Sequence, residues 1–358
     1  MIRKRIFKAL KYCPLLVLFF IFQNLTGHST VHGNNEIVVQ NIPPETQISN
    51  GLINGRMYLP DAVNGYYRST RFDWSGAVYS LQYKGHEFYG PWYDRVDPKV
   101  INWVYEGKEI VSGPCSALMG PVDEFHIPLG WDDAATGGIF IKIGVGALRK
   151  EGNEYNRFAP YEVVNSGKWT VSQSADSVAF VQELNDTGTG YAYVYRKVVK
   201  VLPGKPVMVI SHSLRNTGRL VIRSNVYNHN FLVLDKQAPG PDFTVKMPFK
   251  ITANRPVKED LVEVKGKQIV YKKQLSGTEE AVVEMGGFSN SIKDTELIIE
   301  NSKVGAGMRV TGDQPLINNI LWSVRTVLAV EPYILIDIKP GDEFSWNNYF
   351  EYYTTLRP

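Results

Sequence analysis

Val327-Leu328-Ala329-Val330-Glu331-Pro332-Tyr333-Ile334-Leu335-Ile336-Asp337-Ile338-Lys339-Pro340-Gly341-Asp342-Glu343-Phe344 is the stretch on which the fold turns. Its first four residues are apolar and read as a buried strand. Glu331 follows at once. A carboxylate in such a place is costly to bury unless it is hydrogen-bonded or has chemical work to do. Ile334 to Ile338 reads as a further strand, Pro340-Gly341 as a turn, and Phe344 to Tyr353 as a closing aromatic strand.

The same β texture runs upstream. Tyr191 to Val201 places Tyr191, Tyr193 and Tyr195 on one face with period two, and Val207 to Leu214 alternates likewise. Gly76 to Tyr83, Gly138 to Leu148, Lys168 to Gln173, Ser177 to Leu184, Leu220 to Tyr227 and Ile320 to Glu331 are further strand-length runs between Gly, Pro, Asn and Asp. Only Asp97 to Tyr105 reads as a short helix. About fifteen strands with no linker or repeat predict an all-β chain, one large antiparallel sandwich, with a pair of smaller all-β domains as the alternative.

The N-terminus reads differently. Arg3, Lys4, Arg5, Lys8 and Lys11 precede a short apolar run, Cys13 to Phe22, and then a polar stretch to Thr30. This is the layout of a secretory signal peptide, and the run is short for a membrane span. The expected organisation is a signal peptide at 1–30, a lead-in and first edge strand at 31–50, and the β domain at 51–358. The expected location is exported, periplasmic or extracellular, with no membrane span once the signal is removed. The net charge of +3 becomes −2 without those five basic residues, so the charge gives no support for a nucleic-acid partner. Cys115 is the one cysteine beyond the signal, so no internal disulfide is expected; it reads as a small buried residue.

Three other places concentrate polar and aromatic groups beside turns. Tyr66-Tyr67-Arg68-Ser69-Thr70-Arg71-Phe72-Asp73-Trp74 offers Arg71 for sugar hydroxyls and Trp74 for the C–H face of a ring, or else a surface Arg–Asp pair. Gly120 to Asp133 carries Asp123, Glu124, His126 and Trp131 in a non-periodic run that suggests a cleft rim; its acids lack the ligand spacing of a calcium loop, and no metal site is expected. Asn228-His229-Asn230 places an imidazole between two amides at a strand end, suited to proton transfer or to a structural hydrogen bond. No Gly-x-Ser-x-Gly elbow, phosphate loop, dinucleotide fingerprint or His-Glu-x-x-His occurs.

Three of these pieces, in this order, resemble the galactose mutarotase (aldose 1-epimerase) superfamily. Gly76-Ala77 to Lys84-Gly85 resembles its early hairpin, Asn228-His229-Asn230-Phe231 its Asn-His-x-Phe segment, and Val327 to Phe344 its Glu-bearing strand and Pro-Gly turn. The resemblance implies a β-supersandwich, a sugar or oligosaccharide ligand, no cofactor, Glu331 as general base and His229 as general acid, with Asn228 beside it. The family's second His falls at Pro121-Val122-Asp123-Glu124-Phe125, so Glu124 or His126 would take its place, and Asp242 is the candidate for its substrate-binding Asp. The function so implied is anomer interconversion. The alternatives are a polysaccharide lyase or another carbohydrate-active enzyme on the same fold, and a carbohydrate-binding protein without turnover.

Overall fold

Period-two patterning becomes strand wherever it is long. Ala192–Val201 buries Tyr193, Tyr195, Lys197 and Val199 on one face while Arg196 and Lys200 reach solvent. The structure, a computed structural model, describes residues 42–355, all within one unit, Asn41–Pro358. The expected signal peptide at 1–30 and the first part of the 31–50 lead-in lie outside the described residues.

The chain is all-β, with two large antiparallel sheets at its centre. The first has ten strands in the order Lys168–Gln173, Ser177–Asn185, Ala192–Val201, Val207–Asn216, Glu343–Thr354, Ala306–Gly312, Leu297–Asn301, Phe243–Lys246, Gln268–Tyr271 and Val262–Lys265. The second has six, in the order Thr252–Ala253, Glu280–Gly286, Asn318–Val324, Val327–Ile338, Ile222–Phe231 and Gly120–Phe125. Glu45–Ser49 forms the edge of a separate four-stranded sheet. The long runs read from sequence are joined by strands of two to four residues, such as His86–Glu87 and Arg95–Val96, which are too short to show a period.

Three expectations fail. Gly138 to Leu148 is a hairpin, Ile139–Lys142 paired with Gly146–Arg149, and Ile320 to Glu331 is split by a turn at Arg325-Thr326 into Asn318–Val324 and Val327–Ile338. Asp97 to Tyr105 is not helical. Asp97 caps a turn, its carboxylate accepting Lys99 N–H at 2.9 Å, and Trp103–Glu106 then pairs with Glu109–Ser112. Pro98 and the alternating Trp103-Val104-Tyr105 explain the outcome, since neither favours a helix interior.

The two large sheets meet across an apolar core that includes Val199, Ile210, Val283, Leu321, Val330 and Phe350. A buried ion cluster joins them at one end. Lys197 Nζ lies 2.7 Å from Asp123 Oδ2 and 3.3 Å from Asp73 Oδ2, and His212 Nε2 lies 2.9 Å from Asp123 Oδ2. Tyr195 OH donates to Asp73 at 3.0 Å, and Asn228 Nδ2 to Asp123 at 2.9 Å. Burial pushes the Asp123 carboxyl up, but Lys197 and His212 outweigh it and hold the group below the usual carboxylate range. The strand carrying Asp123 starts at Gly120, whose φ is +75° and where a Cβ would lie 1.9 Å from Val78 O, so only glycine fits.

Removing one partner of a buried ion cluster strands the other charges without compensation. Lys197→Met should therefore lower unfolding free energy by about 3–5 kcal/mol in urea titration. Lys200→Met, on the solvent face of the same strand, should change it by no more than about 0.5 kcal/mol. Equal effects of the two substitutions would count against the cluster.

Candidate functional site

The site is built on the face of the six-stranded sheet turned away from that ion cluster. Tyr227 pairs with Tyr333, and Leu232 bridges Leu328 further along, so His229 stands across from Glu331. Period two then puts Tyr227, His229 and Phe231 of one strand on the same face as Ala329, Glu331 and Tyr333 of its neighbour. His229 Nε2 lies 3.1 Å from Glu331 Oε1. Tyr333 OH donates to Glu331 Oε2 at 3.1 Å. The imidazole stacks on Phe231, ring centroids 3.7 Å apart, and meets the edges of Phe72 and Trp322 at 5.7 and 5.8 Å. Its Nδ1 is buried without a hydrogen-bond partner.

Charges behind the pair set its titration. Glu124 is fully buried. Its Oε2 accepts Arg71 Nε at 2.8 Å and Arg157 Nη1 at 3.4 Å as well as the Tyr227 hydroxyl, and Lys142 Nζ lies 3.5 Å from its Oε1. Arg71 also donates to Ser116 Oγ at 3.2 Å and Tyr227 OH at 3.1 Å. Burial pushes the Glu124 carboxyl up, but Arg157, Arg71 and Lys142 together hold it well below its usual range. Burial takes the Lys142 ammonium down to about 8 against the pull of Glu124. For Glu331, burial wins over Arg71 and Arg157, and its pKa rises to about 7. Burial also pushes His229 well below the ordinary imidazole value, with Arg71 and Arg157 adding to the shift.

The pair opens into a cleft of about 160 Å³ lined also by Arg71, Asn102, Trp103, Arg157, Phe158, Glu280 and Trp322. Glu280 accepts Trp322 Nε1–H at 2.8 Å. The ring faces of Trp103 and Trp322 beside a carboxylate–imidazole pair suit a sugar, whose C–H face packs on aromatic rings while its hydroxyls exchange hydrogen bonds. Among the described residues no group of three His, Cys, Asp or Glu side chains is arranged to hold a metal ion.

Of the residues singled out from sequence, Glu331, His229 and Arg71 come together at this cleft. Glu124 does not line it; it sits beneath, as the counter-ion of the cations. His126 is half-buried just past the strand end, its ring edge 6.1 Å from Tyr333 and outside the lining, and burial depresses its pKa. Asn228 points the opposite way from His229, as neighbours on a strand must, and lines with Asp123 a separate interlayer cavity of about 20 Å³, where its Oδ1 has no partner. Trp74 is buried elsewhere: its Nε1 donates to Ser69 O at 2.7 Å and its ring lines a different depression with Tyr66, Tyr67 and Tyr161. Asp242 is exposed just before Phe243–Lys246, its carbonyl accepting Ser302 N at 2.9 Å, and takes no part in the cleft. Trp74 and Asp242 lie away from the cleft for one physical reason, loop geometry that has no period. Arg157, Lys142, Tyr227, Tyr333 and Trp322 are among the site members not picked out from sequence, with Asn102, Trp103, Phe158 and Glu280 of the lining. The two tyrosines share the parity of His229 and Glu331, and that signal would have found them.

The same β-sandwich architecture is seen in known structures. No family model and no curated protein matches the chain. Solved structures do. The Slr1438 protein of Synechocystis sp. PCC 6803 aligns over 88% of this chain and 96% of its own, at 15% identity and a TM-score of 0.52. A galactose mutarotase related enzyme from Lactobacillus acidophilus aligns over 87% and 98%, at 14% identity and 0.50. A galactose mutarotase-like protein from Clostridium acetobutylicum aligns over 87% and 95%, at 11% identity and 0.50. The chain has the galactose mutarotase-like fold.

Glu331 keeps its proton to about pH 7 in the folded chain, against 4.5 for the free side chain. Between those values the folded state binds more protons than the unfolded state, so stability falls as pH rises through this window. The cost is fully present above pH 7 and absent below the unfolded value. Glu331→Gln, which mimics the neutral acid, should stabilise the protein by about 2–3 kcal/mol at pH 8 and by almost nothing at pH 4.5. Urea unfolding at the two pH values measures it, and a gain that does not depend on pH would contradict the shift.

Proposed function

We propose that this protein interconverts the anomers of a sugar or of an oligosaccharide reducing end, as an aldose 1-epimerase-type isomerase. The observation that carries the reading is the His229 Nε2–Glu331 Oε1 contact of 3.1 Å at the floor of an aromatic cleft, with Glu331 poised near neutrality. A base whose pKa lies near the working pH is both deprotonated often enough and strong enough to be useful. The likeness to a galactose mutarotase related enzyme of Lactobacillus acidophilus and a galactose mutarotase-like protein of Clostridium acetobutylicum supports the same reading.

Below about pH 7 the pair holds one proton, mainly on Glu331 because burial disfavours the imidazolium, and the tautomer with that proton on His229 is the reactive one. With the proton on His229, the Glu331 carboxylate accepts the proton of the anomeric hydroxyl. His229 donates to the ring oxygen as the C1–O bond breaks, giving the open aldehyde. Rotation about C1–C2 turns the other face of the carbonyl to the ring oxygen, and closure returns both protons by the reverse route. Tyr333, bonded to the second oxygen of Glu331, holds the carboxylate in its rotamer. Export to the periplasm or the cell exterior, expected from residues 1–30, belongs to the same proposal.

Glu331→Gln and His229→Asn should each slow anomer exchange by at least about a hundredfold, the usual size of an acid–base contribution. Magnetisation-transfer spectroscopy on a panel of aldoses measures the rate. Wild-type rates in both variants would remove the mechanism. An unsaturated, ultraviolet-absorbing product from an acidic polysaccharide, with no anomer exchange, would replace it with elimination.

A further inference from the structure

The charges of the cleft are laid out unevenly across the sheet. Glu280 belongs to the strand Glu280–Gly286, Trp322 to the next, Glu331 to the next, His229 to the next, and Glu124 to the edge strand beyond. An acid thus stands on one side of the acid–base pair. On the other side three cations, Arg71, Lys142 and Arg157, share the single carboxylate of Glu124.

Arg157 is the member of that group left open. Its side chain is 23% exposed, whereas those of Arg71 and Lys142 are 6% and 0% exposed. It reaches Glu124 and Tyr227 only through Nη1, at 3.4 and 3.2 Å. Its Nε and Nη2 donate to no described residue. Phe158 and Tyr227, whose ring centroids lie 4.8 and 5.9 Å from its Cζ, fix the plane of the guanidinium. A planar fork with free N–H groups, held by aromatic faces at a cleft wall, is built to receive a carboxylate.

The position of the fork relative to the pair narrows the ligand. In a pyranose the ring oxygen is bonded to C1 and to C5. If Glu331 takes the hydroxyl on C1 and His229 the ring oxygen, the substituent on C5 points past the imidazole, toward the strand of Glu124 and the cations around it. We infer that the sugar turned over here carries a carboxylate on C5, as a hexuronate does, and that Arg157 binds that carboxylate as the specificity-determining residue. The inference rests on the acid–base reading for the orientation of the ring. The carboxylate neutralises the surplus cation and is itself unchanged by the reaction, since only the C1–O bond opens and closes.

The test compares D-glucuronate and D-galacturonate with D-glucose, D-galactose, D-glucose 6-phosphate and the neutral methyl ester of D-glucuronate, by calorimetric binding and by anomer exchange. Wild type should bind each hexuronate at least about tenfold more tightly than the matching hexose and than the ester, the weight of one charge-assisted hydrogen-bond pair. Arg157→Gln should bring that ratio close to one, and Arg157→Lys should restore only part of it. The ester comparison needs no variant, so a misfolded Arg157→Gln would not shelter the idea. Equal binding of hexuronate and hexose, or preference for the phosphate, overturns the inference even if neutral sugars exchange rapidly. Selective hexuronate binding without exchange upholds the carboxylate site and overturns the acid–base reading instead.

Discussion

The structure around the cleft depends on one buried carboxylate, that of Glu124. It is fully enclosed and accepts from Arg71, Arg157 and Tyr227, with Lys142 close by. A lone ionised carboxylate in such surroundings would be untenable; with these partners it is the group on which the others converge. Its neighbour Asp123 does the corresponding work on the opposite face of the same strand, joined to Lys197 and His212 of the facing sheet. Two successive acids on one edge strand therefore act in opposite directions. Asp123 ties the two sheets together, and Glu124 organises the outer face.

Much of the fold was legible because long strands advertise their period. Tyr193, Tyr195 and Lys197 are buried while Val194 between them is half-buried and Arg196 exposed, and the apolar run before Glu331 became a strand of twelve residues, Val327–Ile338. Short strands were illegible for the same reason, since a period needs several repeats to show. Within the cleft, the residues that strands carry were the readable ones. His229 and Glu331 lie on adjacent strands, and reading every second position from each leads to Tyr227, Phe231 and Tyr333. Asn228 was drawn in by its nearness to His229 along the chain, which in a strand places it on the opposite face. Arg157 comes from a loop without a period, whose turn residues Gly152, Asn153, Asn156 and Pro160 mark a bend but not where its side chain goes. Trp74 and Asp242 failed for the converse reason: their types suit a sugar, but the paths of their loops put them elsewhere.

The surroundings of Glu331 show how the fold sets a functional pKa with opposing effects. Burial drives the carboxyl up, and Arg71 and Arg157 draw it down. Were the two guanidinium groups unscreened, they would favour the ionised form so strongly that Glu331 would be a weak base. Glu124 screens them. Its own charge is locked in place, because Arg157, Arg71 and Lys142 hold it far below its usual range, and its negative field adds to the upward shift of Glu331.

This division of labour explains why the anchoring acid sits beneath the cleft rather than in its wall. A carboxylate in the wall would repel any anionic ligand and would titrate with solvent. Placed behind the arginines, Glu124 fixes their geometry through hydrogen bonds and leaves the outward edge of Arg157 free. Its field adds to burial, the main cause, in raising the Glu331 carboxyl toward neutrality. Tyr227 belongs to the same device, since its hydroxyl bridges Glu124 and both arginines while its ring stacks on Tyr333 at 4.2 Å. Through that contact the buried ion group is packed directly against the tyrosine that orients the Glu331 carboxylate. A change at Glu124 would thus reach the acid–base pair by two routes, the electrostatic one through the arginines and the steric one through the stacked tyrosines.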